Sequence, residues 1–327
     1  MNKKPKAIIA LVLTVLTVAL LIWTCFYAGG KYVVFDPKGP IGQAQKELII
    51  LSTALSALII VPVMILTFFI IWRYRDTPAN KVKYQPHWDD SRKLETVWWA
   101  IPIIVICIIA VITARYTYLL EPSKPLASTQ KPVTIQVTSL DWKWLFMYPE
   151  EGIATVNQVH IPKGVPVRFE LTADAPMNSF WIPQLGGQIY TMSGMAMKLH
   201  LQADHEGTYF GSGANFSGEH FGQMRFDVEV QSDEEYKNWV ADIKKQSKPL
   251  TKDGYLALAK PGLSQPDEYS SIPDGLFQDI VTKYVVDGAS NPHAGHGEGA
   301  STEDSSKSGT EDKSAMDMSH MNMSGHN

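Results

Sequence analysis

Three stretches of this chain carry no charged residue, between Lys6 and Lys31, between Glu47 and Arg73, and between Glu95 and Arg115. Each is about long enough to cross a hydrocarbon core of ~30 Å, which takes ~20 apolar residues as a helix. The last two are read as membrane spans, over about residues 48–72 and 96–116, forming a hairpin within residues 31–120. Trp72, Trp98, Trp99, Tyr116 and Tyr118 lie at their ends, where amphipathic rings favour the interface. Pro62 and Pro102 are tolerable inside such helices, because neighbouring groups re-satisfy the freed carbonyls. The first run, within residues 1–30, has two readings: Lys3, Lys4 and Lys6 before an apolar core describe a secretory signal as well as a third span. The segment between the second and third runs carries Arg73, Arg75, Lys81, Lys83, Arg92 and Lys93, whereas residues 31–47 carry only Lys31, Lys38 and Lys46. The richer loop is expected in the cytoplasm, and everything after Tyr118 outside it.

After the stiff linker Glu121-Pro122-Ser123-Lys124-Pro125, continuous apolarity gives way to alternation. Val133–Val137, Val167–Leu171, Met197–Leu201 and Met224–Val230 alternate apolar and polar residues with period two, the mark of half-buried strands. Turn signals at Pro162-Lys163-Gly164, Leu185-Gly186-Gly187 and Glu206-Gly207 separate them, as in an antiparallel sandwich over residues 125–231. Beyond Val230 the pattern turns helical, over residues 232–286. Ser232 and Glu235 have capping-box spacing, and Tyr236, Trp239, Val240 and Ile243 share one face. A second short helix is expected from about Gly275 to Val285, with Leu276, Ile280, Val281 and Tyr284 apolar. Residues 287–327 offer almost nothing to bury and are expected to be disordered.

Composition narrows the classes further. The two cysteines, Cys25 and Cys107, both lie in apolar runs, so the outer domain has no disulfide framework. A net charge of −4 without a basic stripe argues against nucleic acid as a partner. Nine tryptophans suffice for one good core besides the spans.

Several segments point to a family. They are Lys38-Gly39-Pro40, Glu95-Thr96-Val97-Trp98-Trp99, Glu121–Pro125, Asp141-Trp142-Lys143-Trp144, Tyr148–Asn157 and Gln188–Met195, and with them the loop from His205 into the strand ending at Val230. From about Phe35 to Val286 the chain resembles subunit II of the cytochrome bo-type, heme-copper quinol oxidases, within the cytochrome c oxidase subunit 2 family. The resemblance implies a membrane helical hairpin, with an N-terminal signal or third span, followed by an all-β, cupredoxin-like sandwich and short C-terminal helices. In copper-bearing members the loop reads Cys, three residues, Cys, three residues, His, two residues, Met. Here those slots hold Gly213, Ser217, Phe221 and Met224, the glutamate slot holds Asn215, and the earlier histidine is matched by Asn178. A binuclear copper centre needs bridging thiolates and soft or imidazole ligands. Only Met224 is left, so no metal is expected in this subunit.

The family resemblance implies a complex that oxidises quinol, reduces oxygen to water and moves protons outward across a bacterial cell membrane. Its heme and copper are expected in subunit I, with subunits III and IV as further partners, quinol as substrate of the complex and no contact with cytochrome c. Glu95 opens the third run, where a carboxylate is favoured by the free amides of a helix start. By resemblance it stands at the mouth of a proton channel through subunit I. Trp142 and Trp144 read as sandwich core and edge from composition, and by resemblance as a subunit contact. Cys25 is a lipidation candidate by resemblance, although Ile22 and Trp23 stand where a lipoprotein signal has small residues. Met224 also heads an inward series with Phe226, Val228 and Val230, which makes it a core methionine. His200, between Leu199 and Leu201, is expected to point to solvent, and His160, His205 and His220 show no ligand spacing. The tail, with His293, His296 and Met316–His326, has thioethers and imidazoles that suit Cu(I), so a membrane-anchored copper-binding module stays open as an alternative.

Overall fold

The computed structural model describes residues 32–75 and 90–285 of the 327-residue chain, together with Leu20 and Trp23. The rest of the first apolar run, Cys25, the inter-helix lysines Lys81 and Lys83, and the Met/His tail lie outside the described residues.

Two long helices come first. Helix α1 spans Pro40–Arg73, with Gly39 as its N-cap and Pro40 at the first helical position, where a missing N–H costs nothing. Helix α2 spans Arg92–Leu119. At 1.5 Å per residue they are about 51 and 42 Å long, so both outlast the ~30 Å hydrocarbon core. Their apolar side chains are exposed along most of their length, and the hydroxyls of Ser52, Thr67, Thr96 and Thr117 bond back to carbonyls one turn earlier. That removes the polar groups a lipid-facing helix cannot leave open.

The outer domain is a sandwich of two sheets. The first contains β1 (Val133–Leu140), β2 (Lys143–Tyr148), β3 (Ile153–Val156), β5 (Val167–Ala173), β8 (Met197–Leu201) and β11 (Asp267–Tyr269), in the order β11-β3-β2-β1-β5-β8. The second contains β4 (Gln158–Pro162), β6 (Asn178–Trp181), β7 (Ile189–Thr191), β9 (Gly207–Gly213) and β10 (Arg225–Gln231), in the order β4-β10-β9-β6-β7. Two of the pairings are parallel, β1 with β5 and β4 with β10, so the sandwich is not purely antiparallel.

Strand β2 is buried on both faces. Trp144, Phe146 and Tyr148 enter the core between the sheets, among Phe169, Phe180 and Phe226. Leu145 and Met147 point the other way, into a second apolar layer formed with Tyr255, Tyr269, Leu276, Phe277, Ile280 and Val281. The C-terminal segment supplies that layer through α4 (Lys252–Leu258), β11 and α5 (Leu276–Thr282). Before it, α3 (Asp233–Gln246) starts on the expected capping box of Ser232 and Glu235 and buries Tyr236 and Ile243 in the inner core. The apolar helix faces read from sequence thus find their partner within the domain. Strand β11 and helix α4 have no counterpart in the sequence reading.

Hairpin and sandwich meet through backbone. The N–H of Lys38 donates to Gln184 O at 2.7 Å, that of Gly42 to Leu185 O at 2.9 Å, and that of Asp204 to Lys38 O at 2.7 Å. Gly42 spends one of the free first-turn amides of α1 in this way. A Cβ on Gly39 would stand 1.9 Å from the carbonyl oxygen of Gln202, so no larger residue fits. On the other side of the junction, His200 N–H donates to Pro122 O at 3.0 Å and its Nδ1 lies 3.2 Å from the same oxygen. This corrects the expectation for His200: the linker lies over its side of the pleat, and the residue is buried.

Candidate functional site

The loop at one end of the second sheet gathers five of the six metal-ligand slots. β6 delivers Asn178, the end of β9 delivers Gly213, the following turn delivers Asn215 and Ser217, and the short turn leading into β10 delivers Met224. Asn178 is at their centre. Its Nδ2 donates to Ser217 Oγ at 2.9 Å and to Met224 Sδ at 3.1 Å, and its Oδ1 accepts from Ser179 N at 2.7 Å and Asn215 N at 3.4 Å. An amide has two donors and one carbonyl oxygen, so all its polar capacity is spent. Gly213 has no room for a thiol-bearing side chain, because a Cβ there would lie 2.8 Å from Asn178 Oδ1. The sixth slot, Phe221, makes an edge contact with the exposed Phe216. One thioether among amides, a hydroxyl and a phenyl ring does not suit a binuclear copper centre.

Trp142 closes the loop from above. It sits in the two-residue connection between β1 and β2 with φ 62°, a conformation rare for a bulky residue and costing ~1–3 kcal/mol where it persists. Its indole N–H donates to Ser217 O at 3.1 Å and its ring meets His220 edge-on at 4.9 Å. Trp144 faces the other way and is fully buried between the sheets. Its part in a subunit contact is therefore corrected: a side chain enclosed by its own domain cannot touch another chain.

Three of the described histidines have structural partners of their own. Beyond His200 and His220, His160 stacks on Trp239 at 4.0 Å, with Nδ1 3.3 Å from Gln231 Oε1. Burial holds His160 and His200 below the ordinary imidazole value. Among the described residues no three His, Cys, Asp or Glu side chains gather as a metal site. Glu95 lies in the first turn of α2, exposed, with its N–H bonded to Ser91 O. It is some 24 residues from the sandwich end of that helix, about 36 Å along the axis.

A second polar knot was not anticipated. The Asp174 side chain is 1% exposed and accepts from Tyr255 Oη and Tyr284 Oη at 2.5 Å and from Lys283 Nζ at 2.7 Å. Burial alone raises its pKa, but hydrogen bonds from Lys283, Tyr255 and Tyr284 outweigh that and hold it below the ordinary carboxylate value. The knot fastens the C-terminal layer to the end of β5. Its only sequence trace is an acid directly after a strand, with tyrosines and a lysine more than 80 positions away.

The hairpin and the sandwich, with its former ligand loop closed by amides, define a membrane-anchored subunit with a cupredoxin-like domain of the cytochrome oxidase type. Residues 150–231 match the family model for the periplasmic domain of cytochrome c oxidase subunit II, and residues 244–288 match the oxidase aromatic-rich motif. Cytochrome bo(3) ubiquinol oxidase subunit 2 of Pseudomonas aeruginosa is 43% identical over 92% of this chain and 89% of its own length. Quinol oxidase subunit 2 of Bacillus cereus is 45% identical over 74% of this chain and 83% of its own. The periplasmic domain of cytochrome oxidase subunit II from Bradyrhizobium japonicum aligns with 36% of this chain and 99% of its own, at 22% identity and a TM-score of 0.35. The chain belongs to the quinol oxidase subunit 2 family, within the heme-copper oxidases.

Proposed function

We propose that this chain is subunit II of a proton-pumping quinol:oxygen oxidoreductase of an aerobic respiratory chain. It carries no redox metal of its own: quinol is oxidised and oxygen reduced to water in subunit I, which holds the heme and copper. The observation that carries this reading is the closed hydrogen-bond set of Asn178 at the metal-ligand slots. An electron-accepting domain without an acceptor has no use for cytochrome c. In this reading the hairpin packs on subunit I in the bacterial inner membrane, the sandwich caps the outer face, and Trp142 is available to a neighbouring subunit. Subunits III and IV complete the assembly. Mild detergent extraction of the intact complex tests it. Heme should co-purify and quinol should be oxidised without cytochrome c, whereas a thiolate–copper absorption arising from this chain would overturn it. A Met/His copper module would instead purify alone, without heme.

Glu95 is the group of this subunit that admits protons from the cytoplasmic side. Its place at the helix start most distant from the sandwich supports that role, as does the mouth position implied by the resemblance. A Glu95→Ala complex should assemble with its full heme content yet turn over severalfold more slowly, and unaltered turnover would remove Glu95 from the proton path.

A further inference from the structure

The outer end of the hairpin holds two cavities that share a wall. The first, about 430 Å³, lies between α1 and α2 and is lined chiefly by aliphatic side chains such as Leu48, Leu55, Ile109 and Ile112. The second, about 400 Å³, lies between the hairpin and the sandwich, with Glu121, Lys124, Gln188 and His200 in its lining. Gln45 and Leu120 line both, so the two join end to end where the helices leave the membrane. Each has the size of a ligand pocket, ~300–1,000 Å³.

The upper cavity is not the slack of a hinge. Backbone hydrogen bonds from Lys38, Gly42 and Asp204 fix one wall and those of His200 to Pro122 fix another. The lower one is predominantly apolar at membrane depth, and the hydroxyls of Ser52 and Thr117 in its lining are turned back onto carbonyls of their own helices. The pair is therefore an apolar channel opening into a chamber that offers one ammonium, one carboxylate and two amides at headgroup level. The geometry points to a bound glycerophospholipid with a zwitterionic head, one acyl chain between α1 and α2, its phosphate at Lys124 and its ammonium at Glu121. A quinol's hydroxyls would hydrogen-bond to either group, but only a zwitterionic head sets a full charge opposite each of the two. A purely anionic head meets Glu121 as a repulsion. The site rests on membrane anchorage alone and not on the oxidase reading.

Membranes holding the full chain and its natural partners are exposed to a photoactivatable phosphatidylethanolamine, and the label is located by peptide mass spectrometry. Label is expected on residues 44–55 or 109–127 of this chain, competed by unlabelled phosphatidylethanolamine. Ile112→Trp, which fills the channel, should lower it about tenfold, a difference of ~1.4 kcal/mol in occupancy. Lys124→Glu should lower it severalfold while Lys124→Arg retains it. If Ile112→Trp is not recovered in membranes, Leu55→Phe replaces it, and the Lys124 pair leaves the channel untouched. Equal labelling in wild type and filled variant overturns the proposal. So does competition by a quinone but not by phospholipid, or attachment of a photocrosslinker carried on Thr113→Cys to another polypeptide segment, which would mean that protein fills the channel. Because label is scored on this chain, the outcome stands whether or not heme co-purifies.

Discussion

The sandwich and the hairpin place their large apolar residues in opposite ways. Trp144, Phe146, Phe169 and Phe180 are enclosed by the domain's own two sheets, while Trp98, Trp99, Phe68 and Ile104 stand more than half exposed on the helices. The outer domain thus carries its stabilisation within itself, since burial of such rings is what removes their surface from water. The hairpin has helices that satisfy their own backbone but touch each other little, and its side chains wait for lipid and for a neighbouring subunit. Between them is a junction built from main-chain hydrogen bonds, which couples a self-sufficient part to a dependent one.

The contrast can be broken at four places. The largest effect is expected from Trp144→Ala, which should cost the outer domain ~3–5 kcal/mol, while Trp98→Ala stays within ~0.5 kcal/mol. Thermal melts of the detergent-solubilised chain compare the two, and equal losses would end the distinction. Next is Asp174→Asn, which weakens three hydrogen bonds to a charged group and should cost ~1.5–3 kcal/mol. Hydrogen exchange should quicken over residues 252–285 while β1 and β6 keep their protection. Gly39→Ala comes third at ~1–3 kcal/mol, because its methyl forces the helix start away from Gln202. Its expected signature is proteolysis in the 121–127 linker with a nearly unchanged core melt.

The smallest effect is a pH dependence confined to the outer domain. Burial keeps His160 and His200 from taking up a proton that the unfolded chain binds near the ordinary value of 6.5. Stability is therefore expected to be full above that value and to decline as pH falls below it. The melting temperature at pH 5 should drop less in a His160→Gln variant than in the wild type, and an equal drop would remove His160 from the account.

Much of this architecture was legible beforehand because it follows from local periodicity. The second and third charge-free runs became α1 and α2, four alternating segments became β1, β5, β8 and β10, and Ser232 with Glu235 formed the expected cap. What escaped has a common cause. β2 is apolar on both faces, since a second layer covers the side that a two-layer sandwich leaves to solvent, so period two is invisible in it. β11 has three residues, too few for any period. His200 was assigned to solvent by the pleat, but a linker that folds back over the strand is not a property of the strand. The Asp174 knot joins residues 81 to 110 positions apart, and no spacing rule spans that.

By itself the sequence determined that this chain crosses a membrane, carries a cupredoxin-like domain and lacks the thiolate and imidazole donors of copper-bearing members, because hydrophobic runs, alternation and ligand identity are carried by residue type. Only the tertiary structure decided that the vacated slots close upon Asn178, that the C-terminal segment forms a third layer, and that hairpin and sandwich join through main-chain bonds at Gly39 and Gly42. Those features depend on which distant groups meet at hydrogen-bonding distance, a relation that exists only once the chain is folded.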